Sequence, residues 1–276
     1  MTIPASKTSP PALMPTLLDG AQAEGDDRPL LVLGPSLGTS VTALWAPALP
    51  YLKEHFTLVG WDLPGHGNSA PADAPFTLDQ LAESVISLQQ QVSGELGLAE
   101  SLPRYAAGVS IAGAVSLLLA RSADNPFAKL AALCSAAKFG EPEMWQERAD
   151  LVERAGTPTM VEGSARRWFA PGFLERHPAR ATRLLHDLQG TDRHSYAYAC
   201  RALAGYDTVA DLPHIAVPVL ALAGAQDEVC SPESVEQIAQ AIPQGRYEAL
   251  AETAHQAPTE SPEATAEVLK EFFHGR

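Results

Sequence analysis

Short apolar runs alternate along this chain with longer segments in which apolar residues recur every three or four positions. Six runs read as strands: Pro29–Leu33, Thr57–Trp61, Tyr105–Val109, Leu130–Cys134, Val219–Ala223 and Arg246–Ala249. Most are continuous rather than alternating, as expected of strands covered on both faces. Period alone does not separate such runs from buried helix, so the assignment rests on length and on flanking Gly and Pro. Leu13–Leu18 also has strand character. Between the runs, Leu78–Val92 follows Thr77 and places Leu78, Leu81, Val85 and Leu88 at helical spacing. Ser110–Ala120 opens on a serine and is apolar nearly all round, which predicts a central buried helix. Pro232–Ile242 and Pro262–Phe273 each start with Ser-Pro, a capping residue followed by proline at the first helical position. This alternation predicts an α/β architecture: a mostly parallel central sheet with helices on both faces.

The rhythm breaks once. About eighty residues separate Cys134 from Val219, whereas a crossover needs only a dozen or more. A long structureless loop is improbable in a compact domain, so the spacing predicts an inserted helical cap over residues 139–212. The core is then 13–138 and 213–276, after a flexible N-terminal tail at 1–12. The insert carries Trp145, Trp168, Phe169, Phe173, Tyr196 and Tyr198. An insertion after a strand's carboxyl end lies over the side where open α/β sheets bind ligands, which suits a lid.

Composition narrows the function. With 19 Lys and Arg against 33 Asp and Glu, the formal charge is −14. A nucleic-acid binder needs a basic face, and an anionic membrane attracts basic segments, so neither partner is expected. No segment approaches the roughly 20 apolar residues of a membrane span. The three cysteines, Cys134, Cys200 and Cys230, are odd in number and widely spaced. They read as free thiols, which suits a reducing cytoplasm. Sequence leaves the oligomeric state open.

The chemistry gathers at the strand ends. The third run leads into Gly108-Val109-Ser110-Ile111-Ala112-Gly113, the fifth is followed by Gly224-Ala225-Gln226-Asp227, and the last by His255. A Gly-x-Ser-x-small string between a strand and a helix is a nucleophile elbow, and its order Ser…Asp…His matches a hydrolase triad. Each residue has a plainer reading. Ser110 also suits a helix N-cap. His66, between glycines after the second strand, rivals His255, and Glu228 rivals Asp227. Lys138, just past the fourth strand, fits either the cleft or the solvent. Trp145 and Trp168 fit either a pocket wall or the core of the insert.

From about Leu13 onward the chain resembles the α/β-hydrolase superfamily, and within it the 3-oxoadipate enol-lactonases. The strings that carry this are Pro35-Ser36-Leu37-Gly38-Thr39, Asp62-Leu63-Pro64-Gly65-His66-Gly67, Gly108-Val109-Ser110, Ala136-Ala137-Lys138-Phe139-Gly140 and Arg167-Trp168-Phe169. Ala112 departs from the usual glycine of the elbow, and Gly34-Pro35 from the residues that often precede Ser36. The resemblance implies cleavage of a small enol-lactone bearing a carboxylate, through an acyl-enzyme. Ser110 would attack, His255 take the proton, and Asp227 orient the imidazole. The backbone N–H groups of Leu37 and Ile111 would hold the oxyanion. An anionic substrate facing a chain of this charge needs a local cation, from Lys138, Arg148 or Arg167. No metal or organic cofactor is implied. A carboxylesterase or a carbon–carbon bond hydrolase of ring-fission products fits the same scaffold. A non-hydrolytic receptor is a third alternative.

Overall fold

The computed structural model describes residues 9–18 and 27–275. A seven-stranded sheet runs through it in the order β1-β3-β2-β4-β5-β6-β7. The strands are β1 (Pro15–Leu17), β2 (Leu30–Gly34), β3 (Thr57–Trp61), β4 (Arg104–Val109), β5 (Lys129–Leu133), β6 (Val219–Gly224) and β7 (Gly245–Leu250). Only β1 is antiparallel, pairing Thr16 with Gly60 at one edge; every other pairing is parallel. Every residue of β2, β3 and β6 is buried, and all but the first of β4 and β5. Successive side chains of a strand point to opposite faces, so the sheet is covered on both. β7, at the other edge, is mostly half-buried.

Two short helices missed by the periodicity, α1 (Val41–Trp45) and α2 (Leu49–Leu52), follow β2. Helix α3 (Leu78–Glu95) starts at Thr77, whose hydroxyl accepts from the Gln80 amide while the Gln80 side chain accepts from the Thr77 amide. That reciprocal cap satisfies two otherwise orphaned donors. Helix α4 (Ile111–Arg121) is buried through its first ten residues and packs on β4, β5 and α3. Residues 1–8 of the expected N-terminal tail lie outside the described residues. At Pro11 the expected tail is held rather than free, because the Pro11 carbonyl accepts from the Ser84 hydroxyl of α3 at 2.6 Å.

Between β5 and β6 stand five helices: α5 (Pro142–Ala155), α6 (Val161–Trp168), α7 (Phe173–Arg176), α8 (Pro178–Gly190) and α9 (Arg193–Ala204). Trp145, Ala149 and Val152 of α5 are buried, as are Tyr196, Ala197 and Cys200 of α9, the helix against which α5 packs most closely. Polar ties fix this unit over the carboxyl ends of the strands. Asp187 accepts from the Ser40 amide at 3.0 Å beyond β2, and the Asp192 amide donates to Gly65 beyond β3 at 3.0 Å. The His255 amide donates to the Trp168 carbonyl at 3.1 Å beyond β7. The chain closes with α10 (Pro232–Ala241), α11 (Ala257–Glu260) and α12 (Pro262–His274). No helix among the described residues is long and apolar enough to cross a membrane.

Candidate active site

The turn from β4 into α4 carries Ser110 with φ of 57°. A side chain at positive φ is strained, and such strain persists only where surroundings over-determine it. Here the Ser110 amide donates to the Leu133 carbonyl at 2.8 Å, and its carbonyl accepts from the Ser135 hydroxyl at 2.8 Å. The turn is tight enough that a Cβ on Gly108 would overlap the Ala112 carbonyl. The Ser110 hydroxyl makes no capping bond to α4. Ser110 does stand at the N-cap position, its carbonyl accepting from the Ala114 amide at 3.0 Å, but its hydroxyl is left free of capping. Ala112 fits because Gly34 faces it: a Cβ on Gly34 would come within 2.5 Å of the Ala112 methyl. The two departures at 34 and 112 thus meet in space, the methyl of one filling what the other leaves open.

His255 and Asp227 are both buried, and the His255 Nδ1 to Asp227 Oδ2 distance is 2.8 Å. The other carboxylate oxygen accepts from the amides of Val229 and Cys230, at 2.7 and 3.1 Å. Those two bonds leave one oxygen free to orient the imidazole, and no such bond joins Glu228 to His255. His66 is buried apart from this pair. Its Nδ1 faces the Pro64 carbonyl at 2.9 Å and its ring stacks on Tyr196. Burial pulls its pKa down to about 4, so the ring is neutral at ordinary pH.

Ser110 and His255 line one small cavity with Ser36, Leu37, Trp145, Arg148, Ser164, Arg167, Trp168, Tyr196 and Val229. The Leu37 amide has no hydrogen-bond acceptor among the described residues, and Ile111 is the first residue of α4, where an amide has no intrahelical acceptor. Trp145 is fixed by donating to the Phe139 carbonyl at 2.7 Å, and the Arg148 guanidinium lies 4.7 Å from its ring centroid. Burial pushes the Tyr196 hydroxyl pKa up, against the pull of the nearby Arg148 and Arg167 charges. Arg167 lies exposed at the rim, where partial burial and then the nearby Arg148 lower its pKa. No carboxylate pairs with either arginine among the described residues.

Lys138 does not join the cavity. It pairs with Asp207 at 3.3 Å, in a short bridge between the two segments, and both side chains are well exposed. Its place just past β5 suggested the cleft, but the chain turns outward there to begin the insert. Sequence reasoning missed Ser36, Ser164, Tyr196 and Val229 as wall residues. Tyr196 was visible only as one aromatic of the insert, because contacts across helices leave no spacing signal.

Asp227, Cys230 and His255 bring ligand-type atoms within 4.8 Å of one another. The carboxylate and imidazole are already bonded to each other, and burial pushes the Cys230 thiol well up, away from the thiolate that metals prefer. A groove of about 480 Å³ outside Asp227, lined by Arg176, Glu228 and Glu252, contains no nucleophile.

A parallel sheet with a strained serine between strand and helix, and an Asp–His pair past later strands, defines an α/β hydrolase. The chain belongs to the alpha/beta hydrolase family, whose pattern matches residues 23–268. It is 34% identical to 3-oxoadipate enol-lactonase 2 of Acinetobacter baylyi, over 86% of each chain. It is 29% identical to 3-oxoadipate enol-lactonase 1 of the same organism, over 90% of this chain and 89% of that one. Among solved structures, the enol-lactonase from Burkholderia xenovorans superposes with a TM-score of 0.86 at 28% identity, over 95% of this chain and 96% of the other.

Proposed function

We propose that this chain is a serine hydrolase that opens a small enol-lactone bearing a free carboxylate, of the 3-oxoadipate enol-lactone type. One observation carries the substrate class. Arg148, seated over the Trp145 ring and with no acidic partner among the described residues, lines the same cavity as Ser110 and His255. A cation kept in place with nothing to neutralise it favours an anion, and the likeness to two enol-lactonases favours this one.

In this reading Ser110 Oγ attacks the lactone carbonyl and His255 Nε2 takes its proton, while Asp227 fixes the ring through Nδ1. The amides of Leu37 and Ile111 receive the oxyanion. The ring C–O bond breaks, and the His255 imidazolium returns its proton to the departing enolate oxygen, a better leaving group than an alkoxide; the resulting enol stays tethered to the acyl chain and the imidazole is again a base. Water activated by His255 then cleaves the acyl-enzyme, and the freed enol becomes a ketone. Residues 139–212 serve as the cap, and 13–138 with 213–276 as the catalytic core. Three unpaired thiols suit work in the cytoplasm.

The test is hydrolysis of 3-oxoadipate enol-lactone, followed by loss of ultraviolet absorbance, beside p-nitrophenyl acetate. Wild type is expected to turn over the lactone far faster than the ester. Ser110→Ala is expected to lose about 10⁴–10⁶ in kcat while staying folded. Near-normal turnover by that variant ends the triad assignment. Ester hydrolysis without lactone hydrolysis keeps the triad and discards the substrate.

A further inference from the structure

Beneath His255 lies a second buried carboxylate. Glu260, the last residue of α11, is 8% exposed and accepts three backbone N–H bonds. Oε1 takes the amides of Ala254 and Gln256, at 3.1 and 3.0 Å, which are the residues on either side of His255. Oε2 takes the amide of Ala170, at 2.6 Å, which belongs to the helical insert. One side chain thus grips the histidine loop on both flanks and joins it to the unit that walls the cavity. The His255 amide adds a second link, to the Trp168 carbonyl.

We propose that Glu260 is a positioning residue: it locks the His255 loop to the insert and sets a second negative charge beside the imidazole. The inference rests on the reading of His255 as the catalytic base. Burial raises the Glu260 pKa, while the three amide donors and the neighbouring His255 oppose that rise. Acceptance at both oxygens favours the ionised form.

The other groups facing the ring are accounted for. Asp227, from the loop after β6, is bonded to Nδ1. Cys230 lies close to both, and the Cys134 thiol faces the Ala254 carbonyl at 3.4 Å. Burial pushes both thiols well up, so neither carries charge. Ser110 comes from the elbow, and Arg148 and Arg167 line the cavity from the insert. Among the described residues, Asp227 bonds the ring directly and Glu260 holds the backbone on both sides of it.

Glu260→Gln and Glu260→Asp separate charge from reach. Glutamine keeps an oxygen for Ala254 and Gln256 but turns an NH₂ toward the Ala170 amide, so the link to the insert fails and the charge is gone. Aspartate keeps the charge and is one methylene too short to span all three amides. The readouts are the pH dependence of kcat/KM with p-nitrophenyl acetate, and amide hydrogen exchange at 168–170 and 254–256. Glutamine removes a negative charge that interacts with His255 across the loop. The acid limb of Glu260→Gln is therefore expected at lower pH than wild type by about half a unit or more, with a plateau lowered about tenfold. Glu260→Asp is expected to keep the limb and lose plateau. Both variants are expected to exchange faster at the two segments.

A limb unmoved in Glu260→Gln overturns the charge role, because a merely structural residue lowers rate without moving the limb. Unchanged exchange in either variant overturns the link. If Glu260→Gln does not fold, Glu260→Asp decides: wild-type plateau with wild-type exchange refutes the proposal. A wild type inert toward lactone and ester alike counts against the hydrolase reading, and the exchange comparison still decides on the link.

Discussion

Arg148→Met is the sharpest probe of substrate class. Methionine keeps an unbranched apolar stem against Trp145 and removes the charge. The guanidinium it replaces is half-buried, 4.7 Å from an indole ring, and without a carboxylate partner among the described residues. Two unit charges 4 Å apart attract by about 4 kcal/mol at an effective dielectric near 20. Partial exposure and the charge remaining on Arg167 reduce what one arginine supplies. A single charge-assisted hydrogen bond, at about 1.5–3 kcal/mol, is the better guide, and it corresponds to roughly 10- to 100-fold in kcat/KM. The loss is expected for the anionic lactone and not for p-nitrophenyl acetate. Stability is expected to fall by only about 0.5–1 kcal/mol, the value of an exposed cation–π contact. Stopped absorbance assays with both substrates and a urea titration cover all three. Equal loss on lactone and ester would mean that Arg148 supports the wall rather than the substrate. An undiminished lactone rate would remove the carboxylate argument altogether.

Lys138→Ala is expected to leave both substrates within about twofold and stability within about 1 kcal/mol, as for an exposed ion pair; a KM rise confined to the lactone would return Lys138 to the site. Ala112→Gly should lower stability by about 1 kcal/mol, since glycine in a helix costs backbone entropy and the facing Gly34 leaves the gap unfilled; unfolding in urea measures it, and an unchanged or higher midpoint refutes the pairing of the two positions. His66, neutral in the fold with a pKa of about 4, takes up a proton more readily once unfolded. Stability is therefore present above its ordinary value near 6.5 and lost as pH falls toward 4, by roughly 3 kcal/mol. His66→Gln should flatten urea midpoints between pH 7 and 4.5, and a variant as steep as wild type would refute this.

The strands were legible because both faces of the sheet are covered, which turns Leu30–Leu33 and Val219–Ala223 into unbroken apolar runs. The positions of Ser110, Asp227 and His255 were legible for a related reason. Parallel strands all point their carboxyl ends one way, so residues just past different strands converge. Strand β1 has three residues at an edge, and α1 and α2 are too short for a period, so their traces were faint. The wall of the cavity was harder still. Trp145, Arg148 and Tyr196 meet through the packing of α5 on α9, and the chain carries no record of which turn of one helix faces which turn of the other. Lys138 shows the cost of reasoning from strand ends alone: β5 ends where predicted, but the path beyond it sends that side chain to Asp207. Glu260 hid for the opposite reason. It looks like one more acidic residue in a chain with 33 of them, and only its three amide partners set it apart.

The cavity itself limits how the proposed substrate reaches Ser110. Its free space is small, about 30 Å³. On the proposed reading, wall side chains shift to admit a lactone with a carboxylate arm. Not all are equally free to do so. Trp145 is tied to the Phe139 carbonyl, Tyr196 is fully packed beneath α5, and the Trp168 backbone holds the His255 loop. Val229, at 37% exposure, and Arg167, at the rim without an acidic partner, have the least to lose. On the proposed reading, yielding at that rim leaves Arg148 and the Glu260 contacts in place, so Arg148 and His255 keep their geometry while the space between them opens. A net charge of −14 repels an anion at long range, and Arg167 at the mouth then provides the first local attraction, ahead of the more firmly held Arg148.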